Sequence, residues 1–218
     1  PDIQQVSFTD QRTTIRTWVC EPIAQSLMVY APEEQSGVFA TKLDLFFKKK
    51  DPNLGIEVIM VGMNNGTPNT SEVLGKGRLE SADVSISDTA NTASTFVFEN
   101  PIFLNANKEY AFYIQADGNS PEYQMWMSEI GYPDVTTGAQ VYQNPYCGDA
   151  FRSSNARTWT AMPKEDIKFN LYVANFSTGS GTAYFENEND EYITYNTLAL
   201  ANSQVDVAVG DEVYLINS

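Results

Sequence analysis

The chain has 218 residues, contains no histidine, and carries 28 acidic against 13 basic residues, which gives a formal net charge of −15. Without histidine the usual catalytic triads and imidazole metal sites are excluded, and the negative charge argues against nucleic acid and anionic membranes as partners. A hydrophobic fraction of 42% can fill a sizeable core, so neither a disulfide nor a cofactor is needed for folding. No apolar run approaches the ~20 residues of a membrane-spanning helix.

The first part of the chain is polar and extended. Residues 1–20 are predicted to form a linker or an edge strand, and the sequence begins at Pro1 without a methionine, so we expect it to be part of a longer protein. From residue 21 onward, apolar and polar side chains alternate between regularly spaced turns. Leu43, Leu45 and Phe47 fall on one face of a predicted strand because successive side chains of a strand point to opposite faces.

Short strands and turns account for the region 21–176, and no stretch has the 3.6-residue apolar period of a long helix. The strongest turn signal is Asn64-Asn65-Gly66. About nine strands of this kind predict an all-β fold, a jelly-roll-like β-sandwich. The predicted strands cover 24–30, 38–47, 56–61, short pieces near 79 and at 84–86, then 95–98, 102–104, 110–114, 123–127 and 167–173.

The composition changes after the predicted sandwich. Residues 177–181 read Ser-Thr-Gly-Ser-Gly, which is typical of a flexible hinge. Residues 182–218 carry further strand-like runs but are too few for an independent core. We therefore expect them to begin a second, small β element.

Three landmarks in the sandwich region occur in an order that resembles a known family. They are 21–26 with 43–51, then 100–104 with 109–112, then 143–146 with 151–160 and 165–172. This order resembles a β-rich domain of large virion structural proteins of tailed bacteriophages, including cyanophages, found in baseplate, tail-fibre-associated and neck components. The chain departs mildly from the family at Glu21-Pro22-Ile23, where members more often begin with Asp-Pro-Leu.

The resemblance implies a structural part of a virion, made in the host cytoplasm, and no chemistry. Its partners would be other virion proteins and symmetry-related copies of the same chain. It does not decide which virion component the chain belongs to or how many copies assemble. The charge predicts contacts that depend on salt, because like copies repel one another unless acidic patches meet basic ones.

Clustered aromatic residues support a second hypothesis, a carbohydrate-binding module that attaches to a host-surface glycan. Tyr123, Trp126, Tyr146 and Trp159 could stack on the apolar faces of sugar rings, while amides and carboxylates bind the hydroxyls. The alternative is that these rings fill the core, as large aromatics usually do. Residues that could supply the polar contacts are Gln124, Asn144, Asp149 and Asn155.

Catalysis is not expected, because only a carboxylate pair of the glycosidase type could supply it and an acidic surface forms such pairs by chance. No catalytic residue, cofactor or metal ligand is predicted. The acidic run Glu186–Glu191 lacks the spacing of a calcium loop and is interpreted as a solvated turn. The carboxylates available for a pair are Glu122, Glu129, Asp134, Asp149, Glu165 and Asp166.

Two smaller features allow alternatives. Cys20 and Cys147 are either two partly buried thiols or one bridge across the ends of the domain. Lys48–Lys50 forms a small basic cluster, which is either a solvated turn or a contact to an acidic neighbouring subunit.

Overall fold

The computed structural model describes residues 2–6, 14–15, 22–31, 35–144 and 148–175, with side chains from residue 22 onward. All of them belong to the first of the two units into which the chain divides, Pro1–Ser177. The predicted hinge 177–181, the predicted element 182–218, both cysteines and the run Glu186–Glu191 lie outside the described residues.

Strands dominate the described part of the chain, which contains two single-turn 3₁₀ helices, Ser81–Asp83 and Asp117–Asn119, and no α-helix. The strands are β1 (Asp2–Val6), β2 (Thr14–Ile15), β3 (Ile23–Met28), β4 (Gly37–Lys49), β5 (Ile56–Asn64), β6 (Thr67–Leu79), β7 (Ala93–Asn105), β8 (Glu109–Ala116), β9 (Gln124–Glu129), β10 (Ala150–Arg152), β11 (Thr160–Met162), β12 (Glu165–Ile167) and β13 (Phe169–Asn175).

These strands form two antiparallel sheets packed face to face. The first sheet has the order β1-β13-β4-β9-β12, with β7 paired to β4 and β2 paired to β9. The second has the order β11-β10-β3-β8-β5-β6. The predicted all-β sandwich is confirmed, and the narrower jelly-roll order stays a prediction.

The core lies between the sheets and is filled by the inward face of each strand. Leu43, Leu45 and Phe47 are fully buried there, as the alternation predicts. Phe112 of the second sheet meets Phe169 of the first in an edge-to-face contact, with ring centroids 5.0 Å apart. Burial of each such side chain contributes roughly 1.5–3 kcal/mol, so the sandwich is held mainly by this layer.

The predicted turn at residues 64–66 connects β5 to β6 as a two-residue hairpin. Asn64 pairs with Thr67, and the two residues between them, Asn65 and Gly66, both have positive φ. Asparagine and glycine tolerate that conformation at low cost, which is why this dipeptide favours tight hairpins. The prediction of a turn here is confirmed.

One side of the sandwich is closed by close packing of β6 against β7. Glycines make this approach possible, since a Cβ at Gly77 would lie 2.9 Å from the carbonyl oxygen of Val97. On the opposite side the short strands β10 and β11 face β12 across a recess that is lined mainly by polar side chains. The open side is therefore where the sandwich offers a recess.

Candidate functional site

Two of the predicted sugar-stacking residues are buried in the fold. Tyr123 is 1% exposed, packs edge-on against Phe47, and donates its hydroxyl to the carbonyl of Leu54 at 2.5 Å. Burial raises the pKa of Tyr123 to about 12. Trp126 is also 1% exposed. Neither ring presents a face to which a sugar could stack.

Trp126 lies on the outer face of the first sheet, where a loop covers it. Its indole N–H donates to the carbonyl of Ser87 at 2.8 Å, and the ring packs with Phe46 and Ala90. The ammonium of Lys168 fixes this loop by donating to the carbonyl of Ala90 at 2.9 Å. This tryptophan therefore fastens the loop to the sheet.

Trp159 lies on the outer face of the second sheet, so the structure does not bring it together with Trp126. It is 8% exposed and packs with Tyr113, whose ring centroid is 5.9 Å away, and with Phe151. Tyr146 lies outside the described residues. The described members of the predicted platform thus occupy three separate places, which fits the alternative that they serve packing.

The basic cluster is engaged within the chain. Lys48 lies 3.3 Å from a carboxylate oxygen of Asp88, and Lys49 pairs with Glu122. Lys50 donates to the carbonyls of Ser81 and Val84, both at 2.7 Å. These contacts tie the end of β4 to neighbouring turns, so the cluster has a structural role.

Two other predicted carboxylates also have local structural partners. Asp134 is 1% exposed and accepts from the backbone N–H groups of Thr136 and Thr137, which stabilises a turn. Glu129 lies opposite Glu165 in the ladder between β9 and β12. Of the remaining three carboxylates, Asp149 lies next to β3, where its backbone carbonyl accepts from the N–H of Ser26. Glu165 and Asp166 lie at the open side of the sandwich.

A polar groove of about 500 Å³ occupies that open side. Arg152 of β10 and Thr160 of β11 are paired across the second sheet and point into the groove with Met162. Glu165 of β12 forms the facing wall, and a guanidinium nitrogen of Arg152 lies 3.6 Å from its carboxylate. The other lining residues are Ser153, Ser154 and Thr158.

Behind the groove wall, a buried polar contact joins the two sheets. Gln25 of β3 donates to Asp166 at 3.0 Å and accepts from the backbone N–H of Ile167 at 2.9 Å. Desolvation raises the pKa of Asp166 to about 7; the Gln25 hydrogen bond opposes the shift and the charge of Asp149 adds to it. The second carboxylate oxygen of Asp166, Oδ2, is buried and has no hydrogen-bond partner among the described residues.

Sequence reasoning named Glu165 and Asp166 only as members of a pool of carboxylates, and it did not single out Arg152 or Gln25 as functional. The sequence does contain one signal for this site. Glu165 and Asp166 are two consecutive charged residues directly before the apolar run of β13, and charged residues at a buried position are unusual unless they have a specific role. The strands that frame the groove are three residues long, too short for alternation to reveal them.

Comparison with protein-family models finds no match, and comparison with curated proteins finds none either. Within the described residues, no helix is long and apolar enough to cross a bilayer. That same part of the chain contains no group of three or more acidic or cysteine side chains placed to hold a metal ion.

Proposed function

We propose that the chain is a structural segment of a tailed-phage virion, in the tail, baseplate or fibre region, and that it acts through assembly contacts. The order of landmarks over 21–176 supports the virion assignment, and the two-sheet sandwich supports a rigid role. We propose that its strands are connected as in a jelly roll. The proposal assigns no reaction to the chain.

The observation that carries the assembly contact is a patch of solvent-exposed apolar side chains on the outer face of the first sheet. This outer patch consists of Phe39 on β4 with Val97 and Phe103 on β7, which are 37%, 63% and 41% exposed. The two phenylalanine rings contact each other, with centroids 4.9 Å apart. Elsewhere on the same face the loop around Ala90 covers Trp126.

The occupant that fits the outer patch is a second copy of this chain. Lys42 lies opposite Val97 in the ladder, and Glu99, two residues after Val97, is exposed. A two-fold axis through the patch would bring Lys42 of one copy toward Glu99 of the other, which makes the surface self-complementary. Apolar contact at the centre and charge pairs at the rim would offset the repulsion between two chains of charge −15.

Sedimentation velocity of the full chain tests this contact. We expect concentration-dependent association that Phe103→Ser abolishes, while Val73→Ser, which removes an equally exposed apolar side chain on β6, leaves it intact. Association should change with ionic strength, because salt screens both the rim pairs and the repulsion between the two negatively charged copies. A chain that stays monomeric at every concentration, or a Phe103→Ser variant that associates like the wild type, would overturn the patch contact.

The virion assignment has a separate test. Phage particles purified from a lysate of infected cells that express the gene should contain this chain when their proteins are digested with trypsin and identified by mass spectrometry. Its copy number per particle should be in a fixed ratio to that of a known tail protein. Peptides that remain in the soluble fraction and never co-purify with particles would refute the assignment, whatever the association state of the isolated chain.

A further inference from the structure

We propose that the groove between β10, β11 and β12 binds a neutral saccharide, a role that goes beyond the assembly function. The described lining of the site differs from the aromatic platform that the sequence predicts, since it consists of Arg152, Glu165, serine and threonine hydroxyls and Met162. A recess of about 500 Å³ lies within the range of small-ligand sites and is large enough for one or two sugar rings.

Hydrogen-bonding capacity in the groove is only partly used by the protein. The Arg152 guanidinium lies 3.6 Å from Glu165, beyond the ~2.7–2.9 Å of a charge-assisted hydrogen bond, and it is 41% exposed. Among the described residues, the hydroxyls of Ser154 and Thr160 make no hydrogen bond to the protein. Donors and acceptors therefore stand side by side facing the recess, which suits a ligand that carries several hydroxyl groups.

The charges of the site favour a neutral ligand. Arg152 and Glu165 place opposite charges side by side in the groove, so an anion would meet the carboxylate and a cation the guanidinium. The overall charge of −15 further disfavours anions. Met162 adds a polarizable apolar surface against which the C–H face of a sugar ring can rest.

The facing wall is held in place by the contact behind it. Gln25 binds both the Asp166 carboxylate and the Ile167 backbone N–H, so β12 is fixed to the second sheet at its middle residue and at its last residue. The Glu165 carboxylate, 10% exposed, is thereby presented at a fixed distance from β10. Such preorganisation lowers the entropic cost of binding, which a shallow polar site needs in order to hold a sugar.

Titration of the ¹⁵N-labelled full chain with sugars tests the proposal. The probes are the methyl glycosides of glucose, galactose, mannose and N-acetylglucosamine at up to about 20 mM, a range that detects millimolar Kd values. At least one should move the amide signals of β10, β11 and β12 in a saturable manner. The methyl glycoside of glucuronate, in which a carboxylate replaces the C6 hydroxymethyl group of the methyl glucoside, should bind more weakly than the glucoside.

Variants locate the site. Thr160→Val keeps the shape of the side chain and removes its hydroxyl, and it should weaken binding about tenfold, the effect of one lost hydrogen bond. Thr136→Val makes the same change on an exposed turn away from the groove and should leave the affinity unchanged. The proposal is overturned if none of the four sugars shifts the groove signals, if Thr160→Val binds like the wild type in a folded protein, or if glucuronate binds more tightly than the glucoside.

Discussion

Gln25 and Asp166 are 141 residues apart in the chain and form a 3.0 Å hydrogen bond inside the sandwich. Gln25 is fully buried and Asp166 is 1% exposed, so the contact replaces water for both groups. The amide oxygen of Gln25 also accepts the N–H of Ile167, a backbone donor of β12 that the ladder does not use. A single side chain on β3 thus makes hydrogen bonds to two polar groups of the other sheet. Buried polar groups need such partners because they have lost their hydrogen bonds to water.

Asp166→Asn should flatten the dependence of stability on pH. In the wild type the pKa of Asp166 rises from 3.8 to about 7 on folding, so between these values the unfolded chain ionises while the folded chain keeps its proton. Stability contributed by this group is therefore present below pH 4 and lost as pH rises to 7, by at most about 1.4 kcal/mol per pH unit.

Asparagine imitates the protonated acid and still accepts from Gln25. We expect Asp166→Asn to match the wild type near pH 4 and to be more stable above pH 7, by roughly 1–4 kcal/mol. Urea unfolding monitored by circular dichroism at pH 4, 5.5 and 7.5 measures this difference. A variant that is less stable than the wild type at pH 7.5 would contradict the assignment of a raised pKa.

Asp117→Asn should act in the opposite pH range. The Arg78 guanidinium donates to both oxygens of Asp117, at 2.9 and 2.6 Å, and this hydrogen-bonded pair lowers the pKa of Asp117. Its contribution to stability is present above pH 3.8, the ordinary value, and is lost as pH falls through the lowered pKa.

We therefore expect Asp117→Asn to lower the melting temperature at pH 7, with the difference shrinking in acid. Asp88→Asn is the matched control, since Asp88 pairs with Lys48 through a carboxylate that is 90% exposed and should matter little. Thermal melts of the three proteins at pH 7 and pH 3 give the comparison. Equal melting temperatures of Asp117→Asn and Asp88→Asn at pH 7 would refute a role for the Arg78 pair.

Gly77→Ala should destabilise the closed side of the sandwich. The added methyl would lie 2.9 Å from the carbonyl oxygen of Val97 and 3.2 Å from the side chain of Phe96, so β6 and β7 would have to separate. Overpacking of this kind costs about 1–3 kcal/mol. Ser71→Ala, an exposed position on the same strand, is the control; a Gly77→Ala variant with an unchanged urea midpoint would contradict the close approach.

Alternation along the chain was enough to predict which side chains share a face, but not what covers the opposite face. Met125 and Met127 point into the core, so Trp126 between them must point outward. Its burial depends on a loop that comes almost 40 residues earlier in the chain. No local pattern around residue 126 reports that loop, which is why stacking and packing could not be separated from the sequence.

Strand breaks show a similar limit. The sequence predicts separate strands at 95–98 and 102–104, yet β7 spans both. The register with β4 shifts between them, since Val97 pairs with Lys42 and Ile102 with Ala40, so Pro101 falls in an irregular stretch where the ladder needs no donor from it. The predicted strand 167–173 is interrupted at Lys168, which turns outward to the loop carbonyl of Ala90. In both cases the decisive contact is tertiary, and turn residues alone do not specify it.

Trp126→Phe should cost more stability than Trp159→Phe, although both changes remove similar volume. The first breaks the hydrogen bond to Ser87 and leaves that carbonyl without its donor. The second breaks none, because the indole N–H of Trp159 has no hydrogen-bond partner among the described residues. We expect a difference of about 1 kcal/mol in the free energy of unfolding, the net value of one hydrogen bond. Urea unfolding of both variants followed by circular dichroism measures it, and an equal or reversed order would show that the loop does not depend on this bond.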